Sequence, residues 1–198
     1  MTLLLAPGDA GIAEAAAFLR AGGLVAFPTD TVYGIGCRVG DEAALARLFE
    51  AKRRPAEKAV PILVASLEQA GELGLEVTPA RPLADRFWPG GLTLVLAADT
   101  GSQAIRVPDH PVALALIAAA GPLATSSANR SGEPEAYEAN DVLIAFADTD
   151  QLDAVVDGGR VPGGIASSLV DLTADRPRLL RDGPISRAEL EAVIGTLD

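Results

Sequence analysis

Short apolar runs broken by glycine and proline alternate with Ala- and Leu-rich stretches of helical period along most of the chain. Residues 12–20 are Ala-rich and stop at Gly22-Gly23, the pattern of a helix with a glycine stop. Residues 23–27 form an apolar run that reads as a short buried strand. It ends at Pro28, which cannot donate to a sheet ladder. Residues 41–51 predict a helix capped by Asp41, with Leu45, Leu48 and Phe49 on one face. Residues 60–65 read as a strand with Pro61 near its start, and Ser66 to Gln69 has the spacing of a capping box that opens a short helix. Further on, 82–87 predicts a helix, 92–96 and 104–107 strands, and 112–120 a helix opened by Pro111 and closed by Gly121. Strands follow at 123–125, 154–156, 168–172 and 178–180, with a helix at 141–147. A second capping box, Ser186 to Glu189, opens the last helix. Strands and helices mix without strict βα alternation. That predicts an α/β (α+β) fold: one domain over residues 1–198, a twisted, mixed, open sheet with helices packed on it.

The exit of the first buried strand is dense in polar groups: Thr29, Asp30, Thr31 and Tyr33, followed by Gly34 and Gly36. In open α/β sheets such groups face the crevice where ligands bind, or they cap their own turn; residues 27–34 alone leave both readings open. The helix that follows runs into Lys52, Arg53, Arg54 and, past Pro55, Lys58. From Arg47 to Lys58 five basic residues stand against Glu50 and Glu57, a local charge of +3 in a chain whose net charge is −11. Cations at a helix C-terminus complement its dipole, but that does not account for the continuation past Pro55. A dense positive spot on an acidic chain focuses an anion, a phosphate or a carboxylate.

At 198 residues, 49% hydrophobic and only 4% aromatic, the composition suits a packed α/β domain with a sizeable core. No apolar run reaches the length of a membrane span and no basic segment precedes an apolar one at the N-terminus, so a cytoplasmic location is expected. The single cysteine, Cys37, excludes an internal disulfide and a multi-cysteine zinc site, and beside Gly36 it reads as a small buried filler. With His110 the only histidine, a histidine-rich metal site is excluded too, and His110 reads as a turn residue. The acidic balance argues against a broad nucleic-acid coat but not against a local basic cleft.

Other polar stretches carry possible chemistry. Ser126, Ser127, Asn129 and Ser131-Gly132 follow a predicted strand and offer hydroxyl and amide groups to phosphate oxygens or a base edge, or form an ordinary turn. Residues 158–164 are glycine-rich and could present backbone N–H groups to an anion, but no Gly-Lys-Ser/Thr follows, so this is not a P-loop. Gly34-Ile35-Gly36 is not a dinucleotide fingerprint, because Val39 stands where the third glycine belongs. Arg106 sits inside an apolar strand-like run, where a charge is seldom buried unless paired; it is either a buried, paired group or an outward one beside Asp109. Arg181, after Leu179-Leu180, poses the same choice.

Pro28-Thr-Asp-Thr-Val-Tyr-Gly34, followed by Glu50-Ala-Lys-Arg-Arg-Pro55 and Lys58, resembles the YrdC-like family of L-threonylcarbamoyl-adenylate synthases. Residues 86–95, 105–111 and 127–132 agree with it, and 163–171 with Leu180-Arg181 match more loosely; the resemblance runs in register from about residue 22 onward. It implies a fold with a central basic cavity and an enzyme that condenses L-threonine, bicarbonate and ATP to threonylcarbamoyl-adenylate and pyrophosphate, for tRNA modification. By match, Thr31, Arg106 (to the carboxylate), Thr125 and Ser167 would bind threonine. Lys52, Arg54, Lys58, Ser102, Ser127, Asn129 and Arg181 would line the ATP side, with Lys52 and Arg54 nearest the chemistry. Tyr33 would wall the cavity, and Glu135 falls where a polar ATP contact is common, although it is an anion. Mg2+ would accompany the ATP, held by phosphates and waters; no protein metal ligands are implied. Downstream threonylcarbamoyl-transfer proteins are implied partners, and tRNA a possible one. Longer family members carry a further C-terminal domain, which this chain is too short to contain. Two departures stand out: Ala166-Ser167-Ser168 replaces a frequent Glu-Ser-Thr, and Ser126 a frequent proline. The competing readings are an RNA-binding module that uses the basic cleft without catalysis, and a carbamoyl-transfer accessory domain of the kind found in larger hydrogenase-maturation proteins.

Overall fold

The computed structural model describes residues 1–53 and 60–198 of the chain. The elements in order are β1 (Leu3–Leu5), α1 (Asp9–Arg20), β2 (Val25–Pro28), β3 (Tyr33–Arg38), α2 (Glu42–Lys52), β4 (Ile62–Leu63) and α3 (Leu67–Glu72). A 3-10 turn (Thr78–Ala80) leads into α4 (Arg81–Phe87), β5 (Leu92–Ala97), β6 (Ser102–Arg106), α5 (Pro111–Ala120), β7 (Leu123–Ser127) and α6 (Ala139–Ala145). β8 (Ala154–Val156), β9 (Ser168–Asp171), β10 (Arg178–Arg181) and α7 (Arg187–Ile194) complete the chain. The strands form one open, mixed sheet in the order β1-β8-β2-β3-β7-β4-β6-β5-β9-β10, the class of fold that the sequence predicts.

Helix ends follow the local chemistry. Asp41 Oδ1 accepts from Ala44 N at 2.9 Å and caps α2, while Ser186 and Glu189 close a reciprocal box at the start of α7. His110 Nδ1 accepts from Val112 N at 3.3 Å and caps α5 ahead of Pro111. Burial pushes the His110 imidazole below its ordinary pKa, against the pull of Asp30 and Asp109, which keeps it neutral and able to accept that bond.

Two sequence expectations change. Residues 29–36 are not one loop: a tight turn over 29–32 joins β2 to β3, with Phe27 opposite Gly34 and Pro28 opposite Tyr33. The strand was obscured because Gly34 and Gly36 have low strand propensity, yet a β-carbon at Gly36 would lie 2.8 Å from Thr125 Oγ1 and 2.9 Å from Ala124 O. Only glycine lets β7 approach this closely. The expected strand at 60–65 shrinks to Ile62–Leu63, because Pro61 has no N–H to give and contributes its carbonyl to Thr125 N.

Register decides which side chains share a face. Cys37, Ala124, Ile62, Ile105, Leu94 and Val170 lie opposite one another in successive strands and form one apolar row. That face is covered by α2 and α6 at one end and by α3, α4 and α7 at the other. Because side chains alternate, the next row points the other way: Leu123, Leu63, Arg106, then Thr93, Leu169 and Arg181. On this second face α1 and α5 pack on Val25, Phe27, Leu63 and Leu123. No residue of β5, β6, β9 or β10 belongs to that cluster. The rest of the face carries Gly34, Gly36, Thr125, Ser127, Arg106, Thr93 and Arg181, a polar half-face beside an apolar one.

If the close approach of β7 is what requires glycine, Gly36→Ala should destabilise the fold by roughly 1–3 kcal/mol through overpacking. Gly71→Ala, in α3 with Val77 side-chain atoms no nearer than 3.7 Å, should instead stabilise it by about 0.5–1 kcal/mol. Urea unfolding of the two variants checks both signs.

Candidate active site

The turn after β2 is built by its own threonines. Thr29 Oγ1 donates to Val32 O at 2.7 Å and lies 3.1 Å from Thr31 Oγ1. Since the Thr29 proton is committed to a carbonyl, Thr31 is the donor between the two hydroxyls. Asp30, next in the turn, reaches Arg106 with Oδ2 at 2.6 Å from Nη2. Arg106 is 8% exposed, and it also donates from Nε to Gly90 O at 2.9 Å and from Nη1 to Thr31 Oγ1 at 3.3 Å. Of the two sequence readings of Arg106, the buried and paired one holds. β2 and β6 have three strands between them, so in a flat sheet they would stand roughly 19 Å apart. The Asp30–Arg106 pair therefore brings the β2–β3 turn over to the end of β6.

Arg181 approaches from the other edge. Its Nε donates to Ser167 O at 2.9 Å and its Nη2 to Ser167 Oγ at 3.1 Å. The Ser167 hydroxyl, itself 5% exposed, lies 2.6 Å from Thr93 Oγ1. Burial, and then the neighbouring Arg106 charge, hold the Arg181 guanidinium below its ordinary pKa, with Glu135 opposing them. Among the described residues no carboxylate lies within salt-bridge distance of Arg181. Arg106 and Arg181 thus lie on one sheet face, near enough for the first charge to act on the second, an arrangement that favours an anion.

The third group lies at the end of β7. Lys52, 2% exposed, closes α2 and donates from Nζ to the carbonyls of Ser127 and Asn129. Ser127 Oγ donates to Asn129 Oδ1 at 2.5 Å, and Asn129 Nδ2 to Glu133 O at 2.6 Å. The chain then passes Glu135, beside Arg181, and returns to the hairpin, where Tyr33 N donates to Ala136 O at 2.9 Å. Contacts thus gather Lys52, Ser127 and Asn129 into one group, Thr31, Asp30 and Arg106 into a second, and Arg181, Ser167 and Thr93 into a third. Thr125, 6% exposed, lies on the same sheet face as Ser127 and Arg106.

Other expectations fare differently. Arg54 and Lys58 lie outside the described residues. Ser102 shares the face of Arg106 but sits exposed at the opposite end of β6, about 13 Å along the strand, in contact with none of the others. Tyr33 does not wall a cavity: it is fully buried on the α2 side, where its hydroxyl donates to Gly159 O at 2.7 Å and accepts from Gly158 N at 3.2 Å. Burial pushes its pKa up to about 12, so it ties the glycine-rich loop to the sheet as a neutral phenol. Cys37 is buried, with its thiol pushed up to about 11 by desolvation, in keeping with a filler. Arg47 does not face solvent freely. It donates to Gln151 Oε1, Gln151 O and Gly22 O and pairs with Asp153 at 3.0 Å.

Three contributors went unnoticed in the sequence. Asp30 was read only as part of a polar turn, and its partner is 76 positions away. Thr93 is the one hydroxyl in an otherwise aliphatic strand, which is a signal of sorts. Arg130, 5% exposed, donates to Ala51 O and Ala145 O and pairs with Asp148, while Ser131 N donates to Lys52 O at 3.0 Å. This clamp fixes the end of α2 where Lys52 stands.

The Sua5/YciO/YrdC family, described as "Telomere recombination", matches residues 17–183. The chain belongs to this family. It is 44% identical over 195 residues to the threonylcarbamoyl-AMP synthase of Pyrococcus abyssi, covering 92% of this chain and 57% of that protein. It is 41% identical over 207 residues to the enzyme of the same name from Bacillus subtilis, covering 98% and 59%. The crystal structure of P. abyssi Sua5 complexed with L-threonine superposes with a TM-score of 0.91 at 40% identity, over 100% of this chain and 62% of that one. The chain thus spans less than two thirds of the length of these relatives. The fold is therefore shared with a threonine-bound member of the family.

With Arg47 assigned to the frame of the fold, Arg47→Ala should lower unfolding free energy by roughly 1–3 kcal/mol, the range for lost hydrogen bonds to a charged group. Substrate binding at the polar half-face should stay unchanged. Denaturant titration read beside a ligand-binding measurement separates the two.

Proposed function

We propose that the chain is an L-threonylcarbamoyl-adenylate synthase: it joins L-threonine, bicarbonate and ATP into threonylcarbamoyl-AMP and releases pyrophosphate. The observation that carries this reading is Arg106 and Arg181, two cations on one sheet face beside the hydroxyls of Thr31, Thr93 and Ser167, with no Cys nucleophile or Ser–His pair in contact with them among the described residues. It is supported by the kinship with proteins named for that product and by the threonine complex of a relative.

In this reading Arg106 takes the threonine carboxylate. Thr31 accepts a hydrogen bond from the amine or hydroxyl of threonine, because its own proton points to Thr29. Thr125 and Ser167 complete the amino-acid side. The threonine amine adds to the carbon of bicarbonate with loss of water, giving a carbamate. A carbamate oxygen then attacks the α-phosphorus of ATP; the new P–O bond forms as the bond to the pyrophosphate leaving group breaks. Both reactants are anions, so the protein's task is to neutralise and align them, and no covalent catalyst is required. Arg181, Ser127 and Asn129 serve the nucleotide from the described residues, with Lys52 holding the latter two in place; Arg54 and Lys58 are assigned to its phosphates, and Ser102 to a more distant contact. The enzyme is thereby a nucleotidyltransferase. Among the described residues no group of three or more His, Cys, Asp or Glu could hold a metal. Mg2+ would come bound to ATP, adding Lewis-acid neutralisation of the phosphates. The labile product calls for a partner that passes the threonylcarbamoyl group to tRNA, in the cytoplasm where tRNA is modified.

Pyrophosphate release should require threonine, bicarbonate and ATP together; release from ATP that ignores either of the other two would overturn the reading, as would RNA binding without turnover. Thr31→Ala should raise the KM for threonine by about tenfold, the worth of one hydrogen bond to a charged group, and leave the KM for ATP within about twofold of wild type. Steady-state kinetics with each substrate varied in turn checks the split, and the reverse pattern would exchange the two halves of the site.

A further inference from the structure

An arginine side chain has five N–H donors and no acceptor. Arg106 gives one to Gly90 O from Nε, one to Thr31 Oγ1 from Nη1 and one to Asp30 Oδ2 from Nη2. Among the described residues the other two, one on each terminal nitrogen, have no protein acceptor. Two parallel N–H groups are what a carboxylate takes from a guanidinium when it binds with both oxygens. The three contacts already made therefore decide where the remaining two point.

Of these three, Asp30 is the strongest by distance and charge. Its second oxygen, Oδ1, accepts from Asp109 N at 3.1 Å, so the carboxylate bridges Arg106 to the backbone three residues beyond it. Both oxygens accept and neither donates. A carboxamide cannot fill that place, because its NH2 would face either the guanidinium or the Asp109 N–H, donor against donor. Electrostatics gives Asp30 a second task. Arg106 lies near enough to Arg181 to disfavour the charge of Arg181, and nothing else on the described residues offers Arg106 a counter-charge. Without Asp30 the buried guanidinium would swing away from its like-charged neighbour or draw in water.

We propose that Asp30 is the positioning residue that locks the Arg106 guanidinium in register for a substrate carboxylate, and so sets the affinity for the amino-acid substrate. This rests on the reading of Arg106 as the carboxylate-binding group. Asp30 touches no reacting atom; it acts through Arg106. The same bridge ties the turn over 29–32 to the loop after β6, so Thr31 and Arg106 are brought to the substrate as one unit.

The test is steady-state pyrophosphate release by wild type, Asp30→Asn, Asp30→Glu, Arg106→Gln and the double variant Asp30→Asn/Arg106→Gln, with folding followed by thermal melting. Wild-type release that is independent of threonine would sink the synthase reading itself. Given threonine-dependent wild-type activity, Asp30→Asn should raise the KM for threonine about tenfold or more, as expected for a misplaced binding group. Its KM for ATP should stay within about twofold and its kcat at saturating threonine within about threefold. Asp30→Glu keeps the charge and both acceptors but moves them by one methylene, and should raise the threonine KM at least threefold. Arg106→Gln should raise it at least as far as Asp30→Asn, and the double variant no further than Arg106→Gln alone, because the two residues act as a unit. An unchanged threonine KM in a folded Asp30 variant, equal effects on both substrates, or multiplicative effects in the double variant would overturn the proposal. So would failure of both Asp30 variants to fold, which would make the carboxylate a purely structural group.

Discussion

A guanidinium that keeps only 8% of its surface in contact with solvent is the constraint around which this molecule is arranged. Removing such a charge from water costs several kcal/mol unless close partners replace the lost hydration. Arg106 finds them in two places that are distant in sequence: the turn after β2, through Asp30 and Thr31, and the turn at Gly90. The turn after β2 is thereby tied to the end of β6 by a specific ion pair rather than by packing alone.

The division of the second sheet face follows from the same register. Where α1 and α5 cover it, the inward residues are Val25, Phe27, Leu63 and Leu123. Where no helix of that cluster reaches, the alternating positions carry Thr125, Ser127, Thr93, Arg106 and Arg181, with aliphatic residues such as Leu169 among them. An apolar half-face secures the strands, and its continuation along the same rows can then be polar at little cost to the fold. Gly34 and Gly36 belong to this logic: they add no side chain, so β7 comes close and Thr125 lies where a larger neighbour would exclude it.

Much of this was legible in the sequence because the responsible signals are local. Apolar runs ended by proline, serine and aspartate caps, and glycine stops gave β2, α2, α5 and α7 nearly at their observed bounds. The polar exit of β2 and the serine–asparagine run after β7 mark a site by chemistry, without any knowledge of pairing. What stayed hidden depends on partners far along the chain. β3 looks like a glycine-rich loop until β7 is placed beside it. Tyr33 looks like a cavity wall until alternation assigns it to the α2 face. Arg47 reads as a surface cation until Asp153, 106 positions later, is seen beside it. Of the described members of the basic cluster, Arg47 frames the fold, Arg53 pairs with Asp148 on the surface, and Lys52 turns inward.

That division bears on how an acidic protein handles anionic reactants. A net charge of −11 repels anions at long range, but ionic screening confines that repulsion to about a Debye length, roughly 8–10 Å at physiological salt. Inside the site the reckoning is different. Arg106 lies where the surrounding protein limits screening, while Arg181 stands exposed on the edge strand β10, so the buried cation acts most strongly on whatever enters. The cost of holding two like charges together is met partly by Asp30 on one side and by the carbonyl and hydroxyl of Ser167 on the other. A bound carboxylate or phosphate would relieve the remainder. Affinity for anions is then set by the charges within the site, and a surface of opposite charge does not abolish it.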